Sequence, residues 1–168
     1  MTVDDLMART GLSRPSFYEY FSDRHDLVIK LVERVGNRAF PVTDEWLNGD
    51  GDPRNELRSG WAGYAAVYQE HGHLIRALLS AAAQDRQVAE VYGTLRDHIV
   101  AASAERIRHE ISHGRTRPLD PDETARALVM MGEHYLTSKF EHSDEPDVHG
   151  AVEVLTRIWM RVLYDGGD

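Results

Sequence analysis

Five side chains near the amino terminus carry charged or hydroxyl groups at a spacing that suits contact with nucleic acid. They are Arg14, Ser16, Tyr18, Glu19 and Tyr20, all within seven consecutive residues. An arginine can bond a guanine edge through two N–H groups, and hydroxyl groups can bond phosphate oxygens. A glutamate can accept from cytosine but otherwise repels the phosphate backbone. The set therefore indicates contact with DNA.

The surrounding residues predict a helix, a tight turn and a second helix that would present these groups. Thr2 can cap a first short helix, and Gly11 follows its end, where a positive φ is cheap for glycine. Ser13 can cap the next helix, predicted over 14–20, and Pro15 lies in its first turn. Phe17 and Phe21 are four residues apart and should share an inward face. This is the layout of a helix-turn-helix.

The run resembles the DNA-binding signature of the TetR family of bacterial regulators. The matching residues are Thr2-Val3-Asp4-Asp5-Leu6, Gly11-Leu12-Ser13, Ser16-Phe17-Tyr18-Glu19-Tyr20-Phe21 and Arg24. The resemblance implies that Arg14, Pro15 and Glu19 face base edges. It implies that the phosphate contacts come from Ser16, Tyr18, Tyr20 and Arg24. The alternative is a small helical hairpin with no role in DNA binding.

Chains of this family normally begin with a further helix, whereas Met1 lies directly before Thr2 here. We expect that helix to be absent, which would leave Val3 and Leu6 partly uncovered. The alternative function is then a dimeric effector-binding module that does not bind DNA.

The charge distribution separates the amino-terminal segment from the rest of the chain. The net charge of the 168 residues is −9, from 19 Lys/Arg and 28 Asp/Glu. Six of the basic and six of the acidic residues lie in residues 1–40, so the whole acidic excess lies beyond them. The acidic part should be kept away from phosphate, and the neutral end is less repelled.

Helical periodicity continues to the carboxyl terminus without a competing strand signal, so we predict an all-α fold. We assign residues 1–40 to the helix-turn-helix and residues 41–168 to a helical-bundle domain for ligand binding and dimerisation. Pro41 should kink or break the helix that begins near Asp23. His71-Gly72-His73 should end the next one, with a short helix over 74–83 after it. Later helices are predicted over 86–113, from Asp120-Pro121 to about 141, and over 148–164.

An aromatic stripe with glycines inside it is typical of a helix that lines an apolar cavity. The stripe is Leu57, Trp61, Tyr64 and Tyr68, with Gly60 and Gly63 inside it. Ordinary core packing is the alternative. The carboxyl-terminal part resembles one branch of the TetR family, the ethionamide-resistance repressors of mycobacteria. The resemblance implies a ligand channel lined by Leu57, Gly60, Trp61, Tyr64, Tyr68, Tyr92, Ile99, Ser103, Val129, Gly132, Glu133, Leu136 and Trp159.

Three positions of this channel region depart from the branch by carrying polar groups, namely Arg96, Arg106 and Thr137. Glu133 could anchor a ligand or could be a partly exposed surface carboxylate. The two last helices are apolar over more than one face, which suggests a partner. In the family these helices pair with their copies in a homodimer, and two recognition helices then reach two half-sites of a palindromic operator.

Other functional classes find little support in the sequence. His109 and His113 are four apart, and His71 and His73 flank a glycine, but two ligands do not make a metal site. The chain has no cysteine and shows no phosphate loop or nucleophile elbow, so we expect no enzyme activity, no cofactor and no metal. No apolar run is long enough to span a membrane, and we expect a cytoplasmic protein. The expected function is repression that a small apolar effector relieves.

Overall fold

The regular structure of the protein is helical throughout the part that the structure describes. The computed structural model describes residues 13–141 and 146–164, and every regular element in these ranges is an α-helix. The helices are α1 (Arg14–Tyr20), α2 (Arg24–Asn48), α3 (Pro53–Ala82), α4 (Arg86–Ser112), α5 (Pro121–Glu141) and α6 (Val148–Leu163). The all-α prediction is confirmed. Residues 1–12, which hold the predicted first helix of the helix-turn-helix, lie outside the described residues.

Local capping signals fix where most helices begin. The caps of α1, α3, α4, α5 and α6 are Ser13, Asp52, Asp85, Asp120 and Asp147. In each, a side-chain oxygen accepts backbone N–H groups two or three residues ahead, at 2.8 to 3.4 Å. These interactions satisfy N–H groups that a helix leaves unpaired at its start, so the predicted starts agree closely with the structure.

The predicted helix end at His71-Gly72-His73 is wrong, and so is a break at Pro41, whereas a kink at Pro41 stays a prediction. Helix α2 continues through Pro41, and α3 continues through Gly72 to Ala82. A proline removes one backbone hydrogen bond, and a glycine inside a helix costs about 1 kcal/mol relative to alanine. Packing offsets both costs, because α2 lies along α3, and α3 buries Ile75 and Leu78 beyond the glycine. The domain boundary predicted between residues 40 and 41 falls inside α2. The division of the chain into two domains stays a prediction.

Helix α3 is the centre of the bundle. It packs against α2, α4, α5 and α6, whereas α5 and α6 make few contacts with each other. Helix α4 ends where predicted, and Gly114 follows it with φ 66°, a left-handed conformation that favours glycine. None of the helices in the described ranges has the length and apolar character needed to cross a membrane. The arrangement surrounds α3 with the four helices that line the sites below.

Candidate DNA-contacting surface and ligand cavity

Helix α1 buries one aromatic side and exposes a polar one. Phe17 is 4% exposed and its ring centre lies 5.2 Å from that of Phe21. Tyr18 and Tyr20 are 49% and 65% exposed. Among the other predicted DNA-contacting residues, Ser16 is half-buried, and those that are exposed are Arg14, Pro15 and Glu19. The side chain of Arg24 lies outside the described residues.

Two interactions hold the polar side of α1 in place. The Ser16 hydroxyl lies 2.9 Å from that of Ser13, which ties it to the start of the helix. At the other end, Lys30 Nζ donates to the Tyr20 carbonyl at 2.7 Å and pairs with Asp26 at 3.2 Å. Sequence reasoning did not single out Lys30, although its spacing of four from Asp26 was a signal for the pair. The half-exposed ammonium thus ties the end of α1 to α2, and Asp26 balances its charge.

Asp26 organises the junction between α1 and α2. Its carboxylate accepts from the Ser22 backbone N–H at 2.8 Å and from Lys30. These interactions lower the pKa of Asp26, the Ser22 backbone bond being the largest cause. The carboxylate therefore stays ionised and is neutralised locally by Lys30.

An apolar cavity of about 50 Å³ lies between α2, α3, α4, α5 and α6. Its lining residues are Trp46, Leu47, Leu57, Gly60, Trp61, Tyr64, Ile99, Ser103, Val129 and Trp159. The predicted ligand-binding positions supply all of these except the first two. Trp46 and Leu47 were not predicted from the sequence to line the cavity. Their apolar character next to a loop was the available signal.

Three tryptophans and a tyrosine form the aromatic wall of the cavity. The Trp159 ring meets Trp46 at 5.1 Å and 90°, and it meets Trp61 at 5.6 Å and 74°. Trp61 continues the contact to Tyr64 at 5.9 Å. Edge-to-face geometry of this kind is favourable between aromatic rings. Helices α2, α3 and α6 are therefore joined at the cavity by their aromatic side chains.

Gly132 lies against the indole of Trp61, which lines the cavity. A Cβ atom built on Gly132 would lie 2.2 Å from Cη2 of Trp61, closer than van der Waals contact permits. Gly132 is not among the lining residues, so its predicted role as a wall residue is not seen. Its lack of a side chain instead makes room for the indole.

The remaining predicted ligand positions form a buried cluster outside the cavity lining. The Tyr92 hydroxyl donates to Glu133 Oε1, and Arg96 Nη1 lies 3.9 Å from Glu133 Oε2. Thr137 Oγ1 donates to the Glu133 carbonyl at 2.9 Å, and the Tyr68 hydroxyl lies 3.5 Å from the same oxygen. Glu133 is 9% exposed, so it is not a surface carboxylate. The unexpected Arg96 and Thr137 are explained by their contacts with it.

Burial keeps the tyrosines of this cluster neutral. It raises the pKa of Tyr68 to about 12 and raises the pKa values of Tyr64 and Tyr92 as well, with the charge of Glu133 adding to the shift. Neutral phenols can donate to Glu133. Leu136 is fully buried and belongs to the core, not to the cavity lining.

Arg106, the third unexpected polar residue, lies in a separate buried network. Its Nε atom is 3.0 Å from Glu110 Oε1, and its Nη2 is 3.5 Å from Glu56 Oε2. Its Nη1 donates to the Gly49 carbonyl. Arg115 donates to both oxygens of Glu110, at 2.7 and 2.9 Å. The network fastens the loop between α2 and α3 to α4.

The histidine pairs show no complete metal site. The rings of His109 and His113 lie 4.2 Å apart, and Arg115 Nη2 is 3.0 Å from His109 Nδ1. Within residues 13–141 and 146–164, no three His, Cys, Asp or Glu side chains are grouped so that they could hold a metal ion.

Comparison with known proteins gives the same assignment along nearly the whole chain. Residues 57–165 match the family described as the C-terminal domain of the transcriptional regulator EthR. The HTH-type transcriptional regulator EthR of Mycobacterium tuberculosis (strain ATCC 25618 / H37Rv) is 31% identical over 98% of this chain and 78% of its own length. The chain belongs to the EthR-like regulators of the TetR family. It is a transcriptional regulator and not an enzyme.

Other relatives support this family and its fold. The regulator EthR of Mycolicibacterium smegmatis is 27% identical over 98% of this chain and 77% of its own length. A TetR-family regulator from Syntrophomonas wolfei has a TM-score of 0.77 at 14% identity, covering 96% of this chain and 83% of its own. The TetR-family regulator PfmR from Thermus thermophilus has a TM-score of 0.72 at 18% identity, covering 97% and 87%. At these identities the two structures support the fold alone.

Proposed function

We propose that the protein is a repressor that binds a palindromic operator as a homodimer and is released by a small apolar effector. The observation that carries the DNA-binding part is the exposure of Tyr18 and Tyr20 on α1, opposite the buried Phe17. Hydroxyl groups in this position suit phosphate contacts that fix a recognition helix on the duplex. Arg14, Pro15 and Glu19 are proposed to face the bases. Such a repressor acts in the bacterial cytoplasm, where its operator lies.

The phosphate contacts are tested with the variant Tyr18→Phe plus Tyr20→Phe. Removal of both hydroxyls should weaken operator binding about 10- to 100-fold, because each lost bond to a charged phosphate contributes to affinity. Specific and non-specific DNA should be weakened alike, since phosphate contacts carry no sequence information. The measurement is DNA binding at several salt concentrations with the promoter of the protein's own gene.

Tyr135→Phe on α5 is the matched control, because it removes a phenolic hydroxyl far along the chain from α1. It should leave operator affinity unchanged. Full affinity in the double variant would contradict the assigned phosphate roles. A chain that binds an effector but no operator DNA would favour the alternative, an effector-binding module without a DNA function.

The proposed dimer face lies on the last two helices. Met130 on α5 is 45% exposed and Val154 on α6 is 38% exposed. Large apolar side chains exposed on these two helices would suit packing against a second copy of the chain. A two-fold dimer through α5 and α6 would set the separation of two α1 helices for two half-sites.

Charges placed on this face should separate the dimer. The variant Met130→Glu plus Val154→Glu is expected to sediment as a monomer at concentrations where the parent is a dimer, because the carboxylates would be desolvated in the interface. Ala66→Glu, at an exposed position of α3, is the control and should remain dimeric. If the double variant also stays dimeric, the interface lies elsewhere.

Helix α2 connects the cavity to the proposed DNA-contacting helix α1. Trp46 and Leu47 bring the end of α2 to the cavity, and the same helix begins at Arg24, just after α1. A cavity of about 50 Å³ is smaller than the roughly 150 Å³ that holds a benzene ring. A ligand must therefore move the walls apart. A ligand that prefers the wider cavity shifts α2, and with it α1, through this difference in affinity.

A further inference from the structure

The indole N–H of Trp159 is a buried donor without an acceptor in the part of the chain that the structure describes. Trp159 is 3% exposed, and its Nε1 atom has no hydrogen-bond partner there. The N–H of neighbouring Trp46 lies 3.4 Å from the Tyr164 hydroxyl, by contrast. Buried indole N–H groups usually find a partner, and an unpaired one is costly. This orphan donor belongs to a residue that lines the cavity.

The other lining residues do not supply the missing acceptor. The edges and faces of Trp46 and Trp61 surround the Trp159 ring, and most of the remaining wall is apolar. The buried carboxylate of Glu133 is not part of the lining and is already engaged by Tyr92 and Arg96. Among the described residues, no carboxylate or basic side chain lines the cavity. A charged ligand would therefore lack a counter-ion there.

We propose that the effector is a neutral, apolar molecule with one acceptor oxygen, such as a carbonyl, and that this oxygen binds the Trp159 N–H. The inference rests on the proposed effector role of the cavity and specifies the ligand class. The aromatic wall contributes affinity through apolar contact, and the N–H provides discrimination. A site with an unpaired buried donor disfavours an analogue that lacks the acceptor. Trp159 is thus a specificity-determining residue.

Two probes of nearly the same shape separate these contributions. Acetophenone carries a carbonyl oxygen where α-methylstyrene carries a methylene group. The ratio of affinities for acetophenone and α-methylstyrene should be about tenfold higher than their water-to-hydrocarbon transfer free energies predict, because only the acetophenone oxygen can accept from the N–H in the 168-residue chain. In ¹⁵N-labelled protein, acetophenone should move the Trp159 indole proton resonance downfield, and α-methylstyrene should not. The three tryptophans give few indole resonances, and that of Trp159 is assigned by its loss in Trp159→Phe.

The variant Trp159→Phe keeps an aromatic ring and removes the donor. It should weaken acetophenone binding about tenfold and leave α-methylstyrene binding nearly unchanged. Tyr135→Phe, which removes a hydroxyl outside the cavity lining, is the control and should preserve the affinity for both probes. If the fold of Trp159→Phe is lost, the resonance shift in the parent protein still tests the assignment.

A ratio of affinities in the parent protein no higher than the transfer free energies predict, or binding of neither probe, would overturn the inference. An equal loss of affinity for both probes in Trp159→Phe would also overturn the inference. Operator release is measured separately. If acetophenone binds through Trp159 but does not release DNA, the proposed effector role fails while the assignment of the donor stands.

Discussion

Glu110→Gln should lower the free energy of unfolding by about 3–5 kcal/mol, because the change removes the closer of the two carboxylates that pair with the buried Arg106. The Glu110 side chain is 1% exposed and that of Arg106 is 4% exposed. Arg115 also depends on Glu110 for two hydrogen bonds. Breaking a buried pair from one side costs more than the pair contributes, since the remaining ion stays desolvated. The measurement is urea denaturation at neutral pH followed by circular dichroism.

Glu105→Gln on the same helix is the matched control. Glu105 pairs with Arg108 at 2.7 Å, but its side chain is 75% exposed. Exposed pairs contribute about 0–1 kcal/mol, so this variant should be nearly as stable as the parent. Equal losses in the two variants would show that burial of the network is not the cause.

Acidic pH should also lower the free energy of unfolding of the parent protein, because it protonates Glu110. Burial alone would raise the pKa of Glu110, but the hydrogen bonds from Arg115 and the charges of Arg106 and Arg115 outweigh it, and the pKa lies below 4.5. The stabilisation from a lowered pKa is present above about pH 4.5 and is lost as the pH falls through the folded-state value. The parent protein should lose this contribution to its free energy of unfolding in acid. Glu110→Gln should not, because an amide does not titrate in this range.

Gly132→Ala should close the cavity and weaken the binding of apolar ligands at least about tenfold. The added Cβ would lie 2.2 Å from Cη2 and 3.0 Å from Cζ3 of Trp61, so the indole must move from its present place. The fold should lose about 1–3 kcal/mol, which is typical of overpacking in a core. Tryptophan fluorescence during titration with acetophenone, and urea denaturation, measure the two effects.

Gly93→Ala is the control for the change of residue type. Gly93 also lies inside a helix, but the nearest atom to an added Cβ is Nη2 of the flexible Arg96, at 4.0 Å. Alanine favours a helix over glycine by about 1 kcal/mol, so this variant should be slightly more stable and should bind ligand normally. If Gly132→Ala behaves in the same way, the contact with Trp61 does not shape the cavity.

The residues that lie close together in the sequence allowed correct predictions of several structural features. Asp120-Pro121 predicted the start of α5, because a cap and a first-turn proline act within a few residues. The outward side of α1 followed from the spacing of Phe17 and the tyrosines. Most of the cavity lining was identified from the aromatic stripe and the family resemblance.

Contacts between distant residues decided what the sequence could not. Pro41 and Gly72 remain inside helices because neighbouring helices stabilise them, and neither residue carries a local sign of that support. Trp46 reaches the cavity only because α2 folds back along α3 and meets Trp159 of α6. Glu133 and Arg106 could be assigned only when their partners on other elements were known. The sequence determined by itself where most helices begin and which of their sides are apolar, since these depend on neighbours within a turn or two. The cavity, the polar cluster and the unpaired N–H of Trp159 depend on how the helices pack, which only the tertiary structure decides.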